Sequence, residues 1–478
     1  MSFAAACGWS LARSICVATV GVLIAGRISR LLRTGDGWTG RGLWALVLLP
    51  VFVPGLLIGY GYRNFSLSLV HQPLWNEAAY AGLTLLMVVP VGTLILLASP
   101  PPPVSPAALH LARLMRAANG ESSRLSRSMY AAIWVRSRLF ATVPAWSAMF
   151  LLSFQETEVA TLMQAAGWPE WIFTRLATGT EPQAAAWSLL LPVGIQFSVI
   201  ATAALFMVGR RTPAVSGGPP LDVAASQRSL AWGYGLLAMT VLLVLPGSYV
   251  LRGTWEGFSV LGAHPRLLQQ IGVGLLFGAT AGLLAWLAGG AIVESVRRGT
   301  PPGLFAPALL PGLLGAWSLG LMLAVLFQQP VLRTVYDTPL PMLLGEFLFQ
   351  LPRAVLVRLL LGQWRDSSAA HQARLLGVAA DAARRRRSAS LLWSLDGRAR
   401  LTGGLIICYW AYMELSIPSP ALLGPPGMTT APVLLYNQMH YGQIPGLSAL
   451  VLVTVAVPVV CLSVMSLGAR FVATRGRS

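Results

Sequence analysis

The chain has 478 residues, of which 55% are hydrophobic and only 10% charged. That balance excludes a soluble globular protein and identifies an all-α polytopic membrane protein. The formal charge of +18 comes entirely from arginine, since the chain has no lysine, and its meaning depends on where those arginines lie.

Apolar runs long enough to cross a hydrocarbon core of about 30 Å fall at 3–26, 43–62, 78–98, 138–156, 187–209, 229–251, 269–294, 304–327, 340–361, 401–417 and 446–469. They predict about eleven transmembrane helices. The first run has no basic segment before it and no A-x-A signal after it, so it is expected to be a retained helix and not a signal peptide. Comparing alternate loops, 26 arginines lie on one side and 5 on the other, with Arg13, Arg353 and Arg358 inside spans. The rich side is expected to be cytoplasmic, which puts the N-terminus outside and the C-terminus inside. The charge is thus read as a topology signal with a contribution from anionic lipid, and nucleic-acid binding is not expected. Cys7, Cys16, Cys408 and Cys461 lie in or beside apolar runs, form no C-x-x-C and read as small hydrophobes.

An internal repeat emerges along the chain. Leu49-Pro50 recurs as Leu310-Pro311 at an offset of 261, Pro90 as Pro352 at 262, Gly120 as Gly377 at 257, Trp134 as Trp393 at 259 and Glu156 as Glu414 at 258. An even number of spans separates the Gly120 and Gly377 loops, so the repeat is parallel and not inverted. The predicted organisation is a first repeat of five helices at 1–209, a polar, Gly/Pro-rich cytoplasmic linker at 210–228 and a second repeat of six helices at 229–478.

Between the third and fourth spans, and again between the ninth and tenth, lies an Arg-rich loop with Leu and Ala at helical spacing. The first contains Arg116, Ala117 and Gly120, the second His371, Gln372, Ala373 and Gly377, followed by the arginines at 384 to 387. Carboxylates near membrane depth are candidate functional groups. Glu156 and Glu158 close the fourth span and Glu414 closes the tenth, with Met413 adjacent and Tyr436 and His440 further along the same connection. In a twofold arrangement these acids form an extracytoplasmic cation ring or gate; alternatively they sit at headgroup level and meet water or a helix N-terminus. Glu77, Glu346 and Arg353 are further candidates, Arg353 snorkelling or pairing inside the bundle, and Arg13 is expected to snorkel outward.

The segment from Glu414 to Leu450 carries no basic residue and is punctuated by Pro418, Pro420, Gly424, Pro425, Pro426 and Gly427, as an ordered extracytoplasmic connection requires. Its Glu414-Leu415, Leu422-Leu423-Gly424-Pro425-Pro426-Gly427 and Leu435-Tyr436-Asn437-Gln438-Met439-His440-Tyr441-Gly442 elements resemble the last segment of permease subunits of bacterial ABC importers, especially fused permeases of the ferric-iron and thiamine type. His371-Gln372-Ala373-x-x-x-Gly377 resembles the E-A-A-x-x-x-G coupling motif of that family, with His-Gln in place of Glu-Ala. Leu114 to Gly120 keeps the glycine without the acid.

The resemblance implies a permease in the bacterial inner membrane that docks two copies of a separate ATP-binding cassette ATPase on its two coupling loops. It implies a periplasmic binding protein delivering the solute, with ferric iron first and thiamine or another small solute behind. The chain itself has no G-x-x-x-x-G-K-[ST], no H-E-x-x-H and no catalytic triad, so no enzymatic activity, metal site or cofactor is expected of it. Loss of the acids from both coupling loops leaves a second reading open, a permease-derived scaffold or sensor that no longer engages an ATPase. An ion-driven secondary transporter is disfavoured by the parallel repeat and by the lack of acids at mid-membrane.

Overall fold

The computed structural model describes residues 2–34, 37–99, 114, 142–208, 225–259, 266–363, 367–378, 381–439 and 445–475. The described residues form helices and turns with no strand. Among the described residues, six helices are long and apolar enough to cross a membrane: Phe3–Arg33, Pro73–Ala98, Arg228–Gly257, Leu267–Arg297, Leu340–Gly362 and Gly446–Gly468. Three bent pairs bring the number to as many as 9 if each pair is one span. The predicted spans at 138–156 and 401–417 are helical at 142–155 and at Arg398–Met413. Packing divides the chain into two compact units, Met1–Ile172 with Ser188–Gly247, and Phe173–Trp187 with Ser248–Ser478.

In the first unit, α1 (Phe3–Thr34) and α4 (Pro73–Ala98) lie side by side. A third helix, α5 (142–155), packs against both by lodging the Met149 thioether over Gly21 and Gly92, positions where a Cβ would meet that sulfur. Such side-chain-free seats are how helices approach closely in an apolar medium, where burying more hydrocarbon gains nothing. Between α1 and α4 the chain passes through α2 (Gly37–Leu48) and α3 (Gly55–Ser68). These bend by 77° where Pro50 opens a short 3-10 turn and Pro54 adopts an extended backbone. Along α3, Gly55 and Gly59 receive Glu158 and Leu162 of the short helix α6 (Glu158–Leu162), so two residues one turn apart on each helix interlock.

An aromatic ladder then ties α5 to the following helix, α7 (Trp168–Ala177). Trp146, Phe150 and Phe154 stack at centroid spacings of 5.3 and 5.4 Å, Phe154 meets Trp168 at 5.6 Å, and the Trp168 indole N–H donates to the Phe154 carbonyl at 2.8 Å. After α8 (Pro182–Ser188) and α9 (Leu190–Val208) comes α10 (Ala225–Met239). This helix, at the head of the second sequence repeat, packs within the first unit, where the Tyr234 hydroxyl donates to the Leu86 carbonyl at 2.8 Å. A wide turn at Thr240–Val244 carries it into α11 (Leu245–Gly257), and the Tyr62 hydroxyl donates to the Val241 carbonyl there at 2.8 Å.

The second unit is built around α12 (Leu267–Arg297). Gly274, Gly278 and Gly282, spaced four apart, form a groove for α19 (Arg398–Met413): a Cβ on Gly278 would lie 2.7 Å from the Tyr412 backbone, and one on Gly282 2.6 Å from the Cys408 backbone. α13 (Ala306–Leu313) and α14 (Ala316–Phe327) belong to a pair bent by 99°. Gly315 makes the bend with φ 88° and ψ 161°, a conformation that a Cβ forbids.

The short α15 (Arg333–Tyr336) leads to α16 (Leu340–Gln363), which carries Pro352. Proline lacks the N–H that would bond to the Leu348 carbonyl, and Gly312 packs directly on that freed carbonyl. α17 (Ser367–Gly377) and α18 (Ala382–Leu392) then pack on one another, closed by a hydrogen bond from Ser388 Oγ to the Ala373 carbonyl at 2.6 Å. A wide turn at Trp393–Gly397 leads to α19.

After Met413 the chain forms the ordered connection that its prolines and glycines require. The amides of Leu422 and Gly424 donate to the Ser419 carbonyl at 2.9 and 3.0 Å, the Tyr336 hydroxyl donates to the Leu422 carbonyl at 3.0 Å, and Gly427 takes φ 76°. α20 (Ala431–Met439) and α21 (Pro445–Arg475) complete the unit.

Candidate functional site

In the first unit, the residue after α5 is Glu156, half-buried between α4 and α6. Its carboxylate accepts the Tyr80 hydroxyl at 2.6 Å and the amides of Val159 and Ala160 at 2.7 and 3.0 Å. The arrangement is that of a carboxylate satisfying orphan donors at a helix start, the alternative raised for it above. Glu158 lies two residues on, against Gly55 of α3, where a Cβ would fall on its carboxylate.

Arg13 reaches this neighbourhood from α1, and the outward snorkelling expected of it is corrected. The side chain is buried, with the residue 8% exposed, and its guanidinium donates to Glu77 Oε1 at 2.5 Å and to the Ala166 carbonyl at 3.0 Å, with Cζ 4.6 Å from the Tyr80 ring centre. The physical reason is that Glu77, one turn into α4, supplies an anion inside the unit. A desolvated guanidinium with an anion and a carbonyl in reach has no cause to extend to the headgroups. Arg13 thereby joins α1, α4 and the 163–168 segment. Glu170, on α7, feels the same charges: burial pushes its carboxyl up to about 7, against the attraction of Arg13 and with the repulsion of Glu77. The adjoining Gln164 adopts φ 53°, the one non-glycine residue with positive φ among the described residues.

In the second unit, Glu414 ends α19 in an extended conformation and accepts the Ser416 amide at 3.0 Å. Glu346 and Arg353, both on α16, interact with it electrostatically. Glu346, an acid inside an apolar helix, is buried. Arg353 is half-buried, donating to Gln350 Oε1 at 3.3 Å with Cζ 4.0 Å above the Phe349 ring. Met413 packs with Tyr409 and Tyr412, and Tyr436 on α20 meets Phe173 edge-on at 6.3 Å.

His371, Gln372, Ala373 and Gly377 lie on α17, helical as the loop's spacing predicts. His371 and Gln372 are exposed, Ala373 is buried against α18, and Gly377 sits over the Ser388 hydroxyl. Leu375 and Val378 at the end of this helix are 60% and 85% exposed, and Arg374 on α17 and Arg384, Arg385 and Arg387 on α18 are exposed as well. Arg116, Ala117, Gly120 and His440 lie outside the described residues.

Among the described residues, no group of three or more His, Cys, Asp or Glu side chains is placed to hold a metal. These features define a polytopic helical membrane protein with an acid and arginine cluster in each unit and a basic helical hairpin with an apolar tip. No protein-family model, curated protein or solved structure matches the chain.

Proposed function

We propose that this chain is the membrane subunit of an ATP-driven importer, with eleven spans arranged as five and six, its N-terminus outside and its C-terminus cytoplasmic. It forms the path of a small solute, ferric iron first, handed over by a binding protein on the outer face, while two copies of a separate ATPase engage it from the cytoplasm.

The observation that carries the reading is the hairpin of α17 and α18. It follows a proline-bearing helix, holds His371 to Gly377 on a rigid helix and presents Leu375 and Val378 to the outside, with exposed arginines on both helices. An exposed apolar tip with a polar rim is the form of a protein-docking element. Support also comes from the order of features in each unit: a helix pair bent near a Leu-Pro, then a proline-bearing helix, then a helix that ends at a glutamate. ATP-driven closure of the ATPase pair would move the two coupling elements and alternate access to the path.

The test is purification of the tagged chain in nanodiscs from its native host, with the co-purifying proteins identified and counted. Wild type is expected to hold two ATPase copies. Gly377→Pro with Gly120→Pro, and separately Leu375→Ser with Val378→Ser, are expected to lose them while the chain stays folded. A folded wild-type chain that brings no ATPase overturns the importer reading in favour of the scaffold or sensor.

A further inference from the structure

Among the described residues, the charged groups that act on Glu346 do not balance. Two carboxylates, Glu346 and Glu414, share their surroundings with one guanidinium, Arg353. Glu346 is 3% exposed, and neither of its oxygens has a hydrogen-bond partner. Gln350, one turn along the same helix and fully buried, brings its amide beside Glu346 without closing a hydrogen bond, and its Nε2 is also unpartnered. Its other end is used, since Gln350 Oε1 accepts from Arg353.

The connection after Glu414 lies directly over this part of α16: a Cβ on Gly345 would come within 2.9 Å of Leu423 and 3.0 Å of Ile417. Leu423 and Ile417 thus cover the turn of α16 that carries Glu346, whose oxygens are left without a hydrogen-bond partner. A carboxylate buried in this way is ionised only at high cost unless a cation stands beside it, and the one guanidinium that acts on Glu346, Arg353, acts on Glu414 as well.

We propose that Glu346 and Glu414 bind one hard, oxygen-seeking multivalent cation inside the second unit, with Glu346 supplying the free oxygens. Carboxylate oxygens without thiolate or imidazole select hard cations. Two acids, with no third acid, histidine or cysteine grouped with them among the described residues, are too few for a tight resident metal. They suit a site that a cation must enter and leave. Arg353 lowers the affinity by its charge, and through Gln350 it orients the free amide toward Glu346. The inference deepens the importer reading and rests on it for the passage of the cation, though not for the binding itself.

Terbium(III) is the probe, a hard trivalent cation whose emission is sensitised by nearby tyrosine and tryptophan. The full chain is titrated in nanodiscs of zwitterionic lipid. Wild type is expected to bind one Tb³⁺ per chain saturably. Glu346→Gln and Glu414→Gln should each weaken binding at least about tenfold, the effect of one close charge, while the exposed Glu294→Gln should bind as wild type does.

Arg353→Gln should bind about tenfold more tightly, a sign that a merely structural role for Arg353 would not produce. Folding of each variant is checked by its helical circular dichroism. A folded wild type with no saturable site, binding by Glu346→Gln equal to wild type, or weaker binding by Arg353→Gln overturns the proposal. A chain that binds Tb³⁺ at Glu346 yet recruits no ATPase overturns the importer reading alone. One that recruits the ATPase yet binds no Tb³⁺ overturns the cation site alone.

Discussion

Arg13→Ala is the perturbation whose outcome the geometry constrains most closely. It removes the buried partner of Glu77, whose side chain is 15% exposed, together with the donor to the Ala166 carbonyl and the cation above the Tyr80 ring. Breaking a buried ion pair by deleting one partner costs about 3–5 kcal/mol, because the surviving charge is stranded. Glu77 retains a little contact with solvent, so the lower end, about 3 kcal/mol, applies. For a cooperative unit of roughly 200 residues each kcal/mol moves Tm by about 2–4 °C, which gives a loss of roughly 6–12 °C.

The assay is thermal unfolding in nanodiscs followed by tryptophan fluorescence. Trp168 reports directly, because its amide is held by Ser10 Oγ at 3.2 Å on the helix that carries Arg13. Replacing both partners, Arg13→Met with Glu77→Leu, should recover most of the loss, since no charge is then left unpaired. Arg298→Ala, which breaks the exposed pair with Glu294, should change Tm by no more than the error of the measurement. If Arg13→Ala behaves like Arg298→Ala, or if the double variant falls further than the single one, the account of Arg13 as a paired interior cation is refuted.

Three further outcomes follow from the same structure. Glu170, raised from 4.5 to about 7 in the folded chain, is protonated more readily folded than unfolded. Its contribution to stability is therefore complete below about 4.5 and lost as pH rises through about 7, and Glu170→Gln should flatten the stability profile measured across that window. Gly278→Val should force α12 and α19 apart at the Tyr412 backbone and lower the yield of folded protein sharply, whereas Gly272→Ala, which meets open space, should express as wild type. Gly312→Ala drives a methyl group into the Leu348 carbonyl; a loss of roughly 1–3 kcal/mol, the usual cost of overpacking, should appear as a lower unfolding temperature.

Much of the framework was legible because the membrane imposes it. A run such as Leu267 to Val293 has no soluble alternative, and its length alone predicts a span. The order of the 414–430 connection followed from its prolines and glycines, whereas the bends at Pro54 and Gly315 fall inside the runs 43–62 and 304–327, which hydropathy reads as single spans. The charged interior was harder to read. Arg13 and Glu77 stand 64 residues apart, and a long apolar helix hides which of its faces meets protein, because lipid and protein interior ask for the same side chains. Glu346 was visible as a lone acid in an apolar run, but its lack of partners depends on the fold of the Glu414 connection above it. The spacing of Gly274, Gly278 and Gly282 was a readable small-xxx-small signal that span-finding by hydropathy passes over.

The bent pair of α2 and α3 also bears on how the protein is made. Their 12 and 14 residues rise only about 18 and 21 Å at 1.5 Å per residue, short of the roughly 30 Å hydrocarbon layer. Neither piece is a stable crossing by itself, and the open backbone between them has no water to turn to in lipid. The insertion machinery must therefore release this region either as one straight helix that bends afterwards or as an unfinished segment held at the interface. In both cases the bend waits for Glu158 and Leu162, translated about a hundred residues later, to seat themselves on Gly55 and Gly59. The order in which the chain enters the bilayer thus differs from the order in which it packs, and an early truncation between α4 and α5 should leave a segment that quality-control proteases recognise.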